Sequence, residues 1–376
     1  MSGYRETQLV SIEIPPRISH LPLLLDDASL AFYLHTRPKS LWYFLLDKRK
    51  QYKCFSIHKA NGKNRIIHSP GPAIKRVLTH ALLKILNPLQ EHLGDHVTAY
   101  RPRRGIPQAV QQHIPTCPIC DAAPLDKTPA QHDCPKYGTM IHMDLRDFFH
   151  STTRAMIRRY FTSLGLSHLV SDLLGSLMTV NDIPCRSPSH HTRSGAPQGS
   201  PTSGAICNLV ADALIDQPIL KLLKTWNKTD KLKDPEWQWR YTRYADDLTF
   251  TCGKLLNQTE TKERINEITA LVNKTPYRVN KRKTRSPHPY YPKRILGATC
   301  NSHVNIDRQT YLRTRAIIHN CLVYGFESQV KRAEKDSVEA LMDYLKGMTS
   351  YIGQLNSAKG AQLKDELNAA VQRHNM

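Results

Sequence analysis

Three aspartates carry most of the chemistry this sequence offers. Asp246 and Asp247 stand side by side in "RYTRYADDLTF", between two runs that read as strands, and Asp144 closes a third such run in "GTMIHMDL". Aspartate is a poor strand former and adjacent like charges repel, so carboxylates in these places need a reason. Turn chemistry would be reason enough for the pair alone. Three carboxylates brought together have another: they repel unless cations lie between them. Magnesium suits such a site, because it is held by one or two carboxylates together with substrate phosphates. Two Mg²⁺ ions, typically about 3.5–4 Å apart, can activate a 3′-hydroxyl and stabilise a leaving pyrophosphate in an in-line displacement.

Three further segments bear on that chemistry. In "MDLRDFF", Phe149 follows Asp144 at the start of the next element. A ring beside a nucleotide's sugar could exclude a 2′-hydroxyl, whereas a phenylalanine taken alone is more often core. "SGAPQGSPTSGAICNLV" is a loop of small residues opening into a helix. Small residues let the backbone approach a nucleotide or template closely, and Gln198 offers both a donor and an acceptor. Asn273 to Arg294 carries eight Lys and Arg and no acid, interleaved with Tyr277, Tyr290 and Tyr291. Such a run is a solvated face or a surface that tracks phosphates and stacks bases.

A fourth segment holds soft ligands. Cys117 and Cys120, then His132 and Cys134, lie in an insertion at 115–137, and His113 is an alternative to His132. Four such ligands could close a structural Zn²⁺ site and stabilise a polar loop with little apolar content of its own. A reduced loop without metal is the alternative.

The elements that position these residues follow from periodicity. In "DDASLAFYLHTRPKSLWYFLLDKR" two helices are broken at Arg37-Pro38, and "YKCFSIHKANGKNRIIHSP" alternates around an Asn-Gly turn as a hairpin. Helical spacing runs through "AIKRVLTHALLKILNPLQEHL", and "YRPRRGIPQAVQQH" reads as a basic loop entering a short helix. On the strand before Asp144, Ile141, Met143 and Leu145 share one face, with His142 and Asp144 on the other. Trp237, Trp239 and Tyr241 keep one parity and Leu248, Phe250 and Cys252 the other, which implies a turn or bulge just before the aspartates. Residues 310–376 read as helices.

Composition narrows the class. The 376 residues include 53 Lys and Arg against 32 acids, a net charge of +21 that points to a polyanionic partner. No apolar run reaches the roughly 18 residues of a membrane span, and no leader or lipidation pattern is seen. The expectation is a cytosolic protein with no membrane partner. Nine cysteines, an odd number, suggest free thiols, with Cys54, Cys185, Cys207, Cys252, Cys300 and Cys321 buried as small hydrophobes.

Taken in order, these segments resemble the reverse transcriptases. "MDLRDFF", "APQGSPTSG", "YADD" and "NKRKT" look like four successive motifs of the family, and "RILGATC" resembles its primer-gripping turn. The resemblance implies an α+β right-hand polymerase fold. It divides the chain into an N-terminal helical extension at 1–50, fingers at 51–138, a palm at 139–300 and a helical thumb at 301–376. It also implies that Asp144, Asp246 and Asp247 hold two Mg²⁺ ions. Lys63 and Arg65 would hold the triphosphate, Phe149 would gate the sugar, and Gln198 and Gly199 would contact template and nucleotide. Lys283 would protonate pyrophosphate, with Lys281 and Arg282 as competitors.

Within the family the chain looks like the retron enzymes and their phage-defence relatives. Retron enzymes typically carry Val-Thr-Gly where this chain has Ile295-Leu296-Gly297. Of their Asn-Ala-x-x-His signature it keeps only His113. The implied partners are a structured non-coding RNA template, dNTPs, a DNA product and an effector protein. Two rivals remain: a catalytically silent RNA-binding scaffold that tethers an effector, and an RNA polymerase of similar palm.

Overall fold

A two-residue turn resolves the change of phase ahead of the aspartates. In the computed structural model, which describes residues 24–58, 64–117, 134–180, 195–288, 291–300 and 303–374, β4 (Arg240–Tyr244) and β5 (Asp247–Thr251) pair antiparallel with Tyr244 opposite Asp247. Only Ala245 and Asp246 lie between, so there is a tight turn and no bulge. Ala245 takes a φ of 56°, the left-handed conformation that two-residue hairpins demand and that glycine usually fills. Below the turn, Tyr241 stacks on Phe250 across the pair with ring centroids 4.9 Å apart. Leu248 and Phe250 are fully buried. β3 (Met140–Asp144) completes the sheet in the order β3-β5-β4. As alternation predicts, Ile141, Met143 and Leu145 are buried on one face.

The helix Ser203–Ala211 is buried at every position. It continues through a wide π-helical turn, Asp212–Asp216, into Gln217–Thr229. The helix Pro72–Ala81 does the same through Leu82–Leu86 into Asn87–Glu91. In each, a proline (Pro218 or Pro88) follows the wide turn and lacks the N–H that would continue the regular ladder. The Lys84 carbonyl accepts instead from the Tyr33 hydroxyl at 3.1 Å. That bond fastens the helix Asp27–Tyr33, which is separated from Pro38–Leu46 at Arg37 as the sequence predicts.

The sheet is locked to the central helix by buried polar groups. Arg243, wholly buried on β4, donates from Nη2 to Asp216 at 2.7 Å and from Nη1 to the Asn208 side chain at 3.0 Å. Tyr241 donates to the same Asp216 at 2.7 Å. The Asn208 amide donates to the Ala99 carbonyl at 2.6 Å.

The hairpin β1 (Tyr52–His58) and β2 (Asn64–Pro70) pairs Phe55 with Ile67 and Ile57 with Arg65. Cys54 on β1 corrects an expectation: it is disulfide-bonded and only half-buried, where a buried free thiol was expected. Cys207, Cys300 and Cys321 are free and buried, as expected of small hydrophobes, and Cys252 is buried as well.

The chain divides into two units. One comprises Met1–Gly105, Ile141–Thr251 and Leu256–Ser286; the other comprises Ile106–Met140, Cys252–Leu255 and Pro287–Met376. The second unit packs Val110 and Met140 with Ile295, Ile318, Leu341 and Leu363. Its helices are Arg308–Tyr324, Val338–Leu355 and Ser357–Arg373, and it holds a small sheet of β6 (Arg294–Ile295), β7 (Ala298–Thr299) and β8 (Asn305–Ile306). The β6–β7 turn puts both Leu296 (φ 52°) and Gly297 (φ 85°) in the left-handed region. The Tyr351 hydroxyl donates to the Leu296 carbonyl at 3.2 Å. No helix among the described residues is long and apolar enough to cross a membrane.

Candidate active site

Asp144 and Asp246 come together because two elements end at the same place, and Asp247 follows directly at the start of β5. β3 terminates at Asp144, and the N–H of Leu145 donates to the Asp246 carbonyl at 2.8 Å, tying that end to the β4–β5 turn. The basic segment is fastened along the same strand. His142 and Arg285 exchange backbone hydrogen bonds at 2.8 and 2.9 Å, and the Asn280 N–H donates to the Asp144 carbonyl at 2.7 Å. This pairing brings two side chains onto one carboxylate. Asn280 donates to Asp144 Oδ1 at 2.9 Å and Lys283 Nζ to Oδ2 at 2.7 Å.

The charges are unevenly shared. Asp144 is buried, Asp246 half-buried and Asp247 exposed at the start of β5. Burial raises the Asp246 carboxyl above its ordinary range, and the charge of Asp144 adds to the rise, while Lys283 and Arg65 oppose it. Asp247 is pushed up to about 6 by desolvation among its neighbours and then by the charges of Asp246 and Asp144. The Lys283 ammonium is held above its ordinary value, chiefly by its hydrogen bond to Asp144. Burial first, and then the neighbouring negative charges, oppose ionisation of these two carboxyls, and a nearby cation would favour it.

Above them opens a cleft of about 1270 Å³ lined by Arg65, Phe149, Gln198, Gly199 and Lys283 as well as Asp144 and Asp246. Gly199 is there for a physical reason. Its φ is 115°, and a Cβ would lie 3.0 Å from the His68 carbonyl oxygen and 2.9 Å from Ile67. The neighbouring Gln198 carbonyl accepts from the His68 N–H at 2.7 Å, so the small-residue loop is sewn to β2. The structure thus gathers Asp144, Asp246, Asp247, Lys283, Arg65, Phe149, Gln198 and Gly199 in one unit.

Other expectations fall elsewhere. Lys63, Cys120 and His132 lie outside the described residues. Cys117 and Cys134 are buried. Among the described residues, the three-residue group with metal-type donors within 4.8 Å of one another is His96, Asp212 and Asp216. The Arg243 guanidinium already neutralises Asp216 there at 2.7 Å, so this cluster is an ion-pair network of the core.

Sequence reasoning missed Asn280, Lys75 and Tyr100. Asn280 precedes "KRKT", where its neighbours' charge drew attention away from an amide. Lys75 lines the cleft from the exposed side of an amphipathic helix, and no sequence signal separates it from other surface lysines. Tyr100 begins the basic loop "YRPRRG" and also lines the cleft.

A family model described as reverse transcriptase (RNA-dependent DNA polymerase) matches residues 57–300. That is well over half of the chain, and the chain belongs to this family. The right-hand polymerase fold comes with membership, and the helices and antiparallel strands of both units accord with it. Among curated proteins, the chain is 26% identical over 324 residues to the retron Mx65 reverse transcriptase of Myxococcus xanthus, covering 84% of this chain and 64% of that protein. It is 25% identical over 334 residues to the retron Mx162 reverse transcriptase of the same organism, covering 84% and 60%. To the retron Ec86 reverse transcriptase of Escherichia coli it is 25% identical over 232 residues, covering 58% and 64%. The chain therefore spans at most 64% of the length of these relatives.

Proposed function

We propose that the protein is a retron-type RNA-directed DNA polymerase that copies a structured non-coding RNA into DNA from dNTPs. The observation that carries this reading is the convergence of Asp144 and Asp246, with Asp247 next in the chain, at one end of a cleft lined by Arg65, Lys75 and Lys283. The donor set fits the divalent metal of the family, because it is all carboxylate oxygen and hard cations of this kind take oxygen ligands. When bound, two Mg²⁺ ions supply activation of the primer hydroxyl and neutralisation of pyrophosphate.

The chain's own groups do the rest. Lys63 and Arg65 grip the triphosphate, where a guanidinium fork matches phosphate geometry. Phe149 excludes a 2′-hydroxyl. Gln198 and Gly199 bring backbone and amide against template and nucleotide. Lys283 carries the proton that passes to pyrophosphate. We assign residues 1–50 to a helical extension, 51–138 to fingers, 139–300 to palm and 301–376 to thumb. Cys117, Cys120, His132 and Cys134 would hold a structural Zn²⁺, which would stabilise the insertion. The protein works in the bacterial cytoplasm in phage defence, beside an effector protein from its own locus.

The test is to purify the protein from cells carrying its native locus and sequence the nucleic acid that accompanies it, beside an Asp246→Asn control. The expected outcome is DNA joined or paired to one discrete RNA in the wild type, and that RNA without DNA in the variant. RNA in both and DNA in neither would overturn the polymerase reading in favour of a silent scaffold. Normal DNA synthesis by Asp246→Asn would remove the catalytic assignment.

A further inference from the structure

Phe149 is one ring in a series. It meets Phe148 edge to face, with centroids 5.6 Å apart and planes at 71°. Phe148 is buried and stacks on Tyr277 at 5.7 Å and 29°, and the Tyr277 hydroxyl is hydrogen-bonded to Thr152 at 2.8 Å. One side of Phe149 is therefore fixed by the core. The other side meets Tyr100, whose ring lies 5.8 Å away at 70° and is 53% exposed in the cleft.

Tyr100 is held in that place at some cost. Its φ is 55°, a conformation that side-chain-bearing residues seldom adopt without support. The support comes from both neighbours. The Ala99 carbonyl accepts from Asn208 at 2.6 Å, and the Arg101 guanidinium donates to the carbonyls of Leu93, Val97 and Gly94 at 3.0, 2.9 and 2.7 Å. Space for the ring is cleared on the opposite helix: a Cβ on Gly204 would sit 2.3 Å from Tyr100 Cγ. Backbone strain, two anchored flanks and a missing side chain all serve one ring position.

We infer that Tyr100 is a positioning residue for sugar selection: its ring braces Phe149 from the cleft side and sets how firmly the site discriminates between deoxyribose and ribose. The inference rests on the gate reading of Phe149 proposed above. The physical basis is simple. A ring packed on one side only can rotate away from a 2′-hydroxyl, while a ring held between two others cannot move without breaking an edge-to-face contact.

The experiment uses the full chain on poly(rA)·oligo(dT) and compares kcat/KM for dTTP and UTP. Tyr100→Ala is expected to shift the ratio toward UTP by roughly threefold to tenfold, the span an aromatic pair accounts for. Phe149→Ala should shift it further, and the double variant should match Phe149→Ala alone, because the brace has nothing left to hold. Tyr100→Phe should keep the wild-type ratio, and Gly204→Ala, which displaces the ring, should move it in the same direction as Tyr100→Ala. Equal losses with both nucleotides in Tyr100→Ala would reduce the residue to a structural role and overturn the inference. So would an unchanged ratio in Tyr100→Ala beside a shifted one in Phe149→Ala, which would leave the gate reading intact. An unchanged ratio in Phe149→Ala would defeat the gate and the brace together.

Discussion

At the scale of single residues, the site is governed by carboxylates that need a counter-charge. Asp247 titrates at about 6 where its ordinary value is 3.8. A folded-state value above the unfolded one means that the native chain retains a proton which the unfolded chain releases. With metal chelated, the resulting penalty is absent below 3.8, grows as pH rises and is complete above about 6. Melting temperature measured in a chelator should therefore fall through that window, and Asp247→Asn should flatten the fall. Added Mg²⁺ should raise the melting temperature more above pH 6 than below it. The aspartates were legible in the sequence because their type contradicts their place. Asn280 was not, since an amide beside a basic run contradicts nothing, and only the pairing of its backbone with Asp144 reveals its part.

At the scale of elements, the catalytic hairpin is kept in place from beneath. Arg243 and Asp216 form a buried pair on β4 and the π turn, with Tyr241 and Asn208 filling the remaining hydrogen bonds. Removing one partner strands the other charge, so Arg243→Met should cost about 3–5 kcal/mol of stability in urea denaturation. Arg243→Met with Asp216→Leu should recover much of that loss. Equal stability of the single and double variants would show that the pair is not the source. The hairpin itself was readable from alternation, and so was the need for a turn near Tyr244. The buried arginine was not. Its partner lies far back in the chain, and "RYTRY" alone reads as surface charge on a strand. The two π turns escaped for another reason: helical spacing runs on through Pro88, as the helix does, and nothing in that spacing marks a widened turn.

For the whole molecule, charge is the property that was plainest from composition. A net +21 predicts that RNA binding is driven largely by release of counterions. Affinity measured by filter binding should fall by roughly a thousandfold between about 50 and 200 mM salt, as for a protein contacting about six phosphates. A nearly flat response would mean recognition through bases. Which segments share a core was not readable. Val110 and Met140 pack with Ile295 and Ile318 across long stretches of chain that belong to the other unit. Periodicity says that a face is buried, not which distant face it meets.

The left-handed Ala245 sets two demands against each other. Glycine would adopt its φ of 56° without strain. Ala245→Gly would also loosen the turn that carries Asp246, which the buried Arg243 holds by its Nη1 at 3.4 Å from the Ala245 carbonyl. The substitution should raise the melting temperature slightly, by an amount corresponding to about 1 kcal/mol or less, and lower the rate of nucleotide incorporation. Heat challenge and DNA yield, applied as separate selections to a library randomised at this codon, should therefore enrich different residues: glycine under the first, alanine under the second.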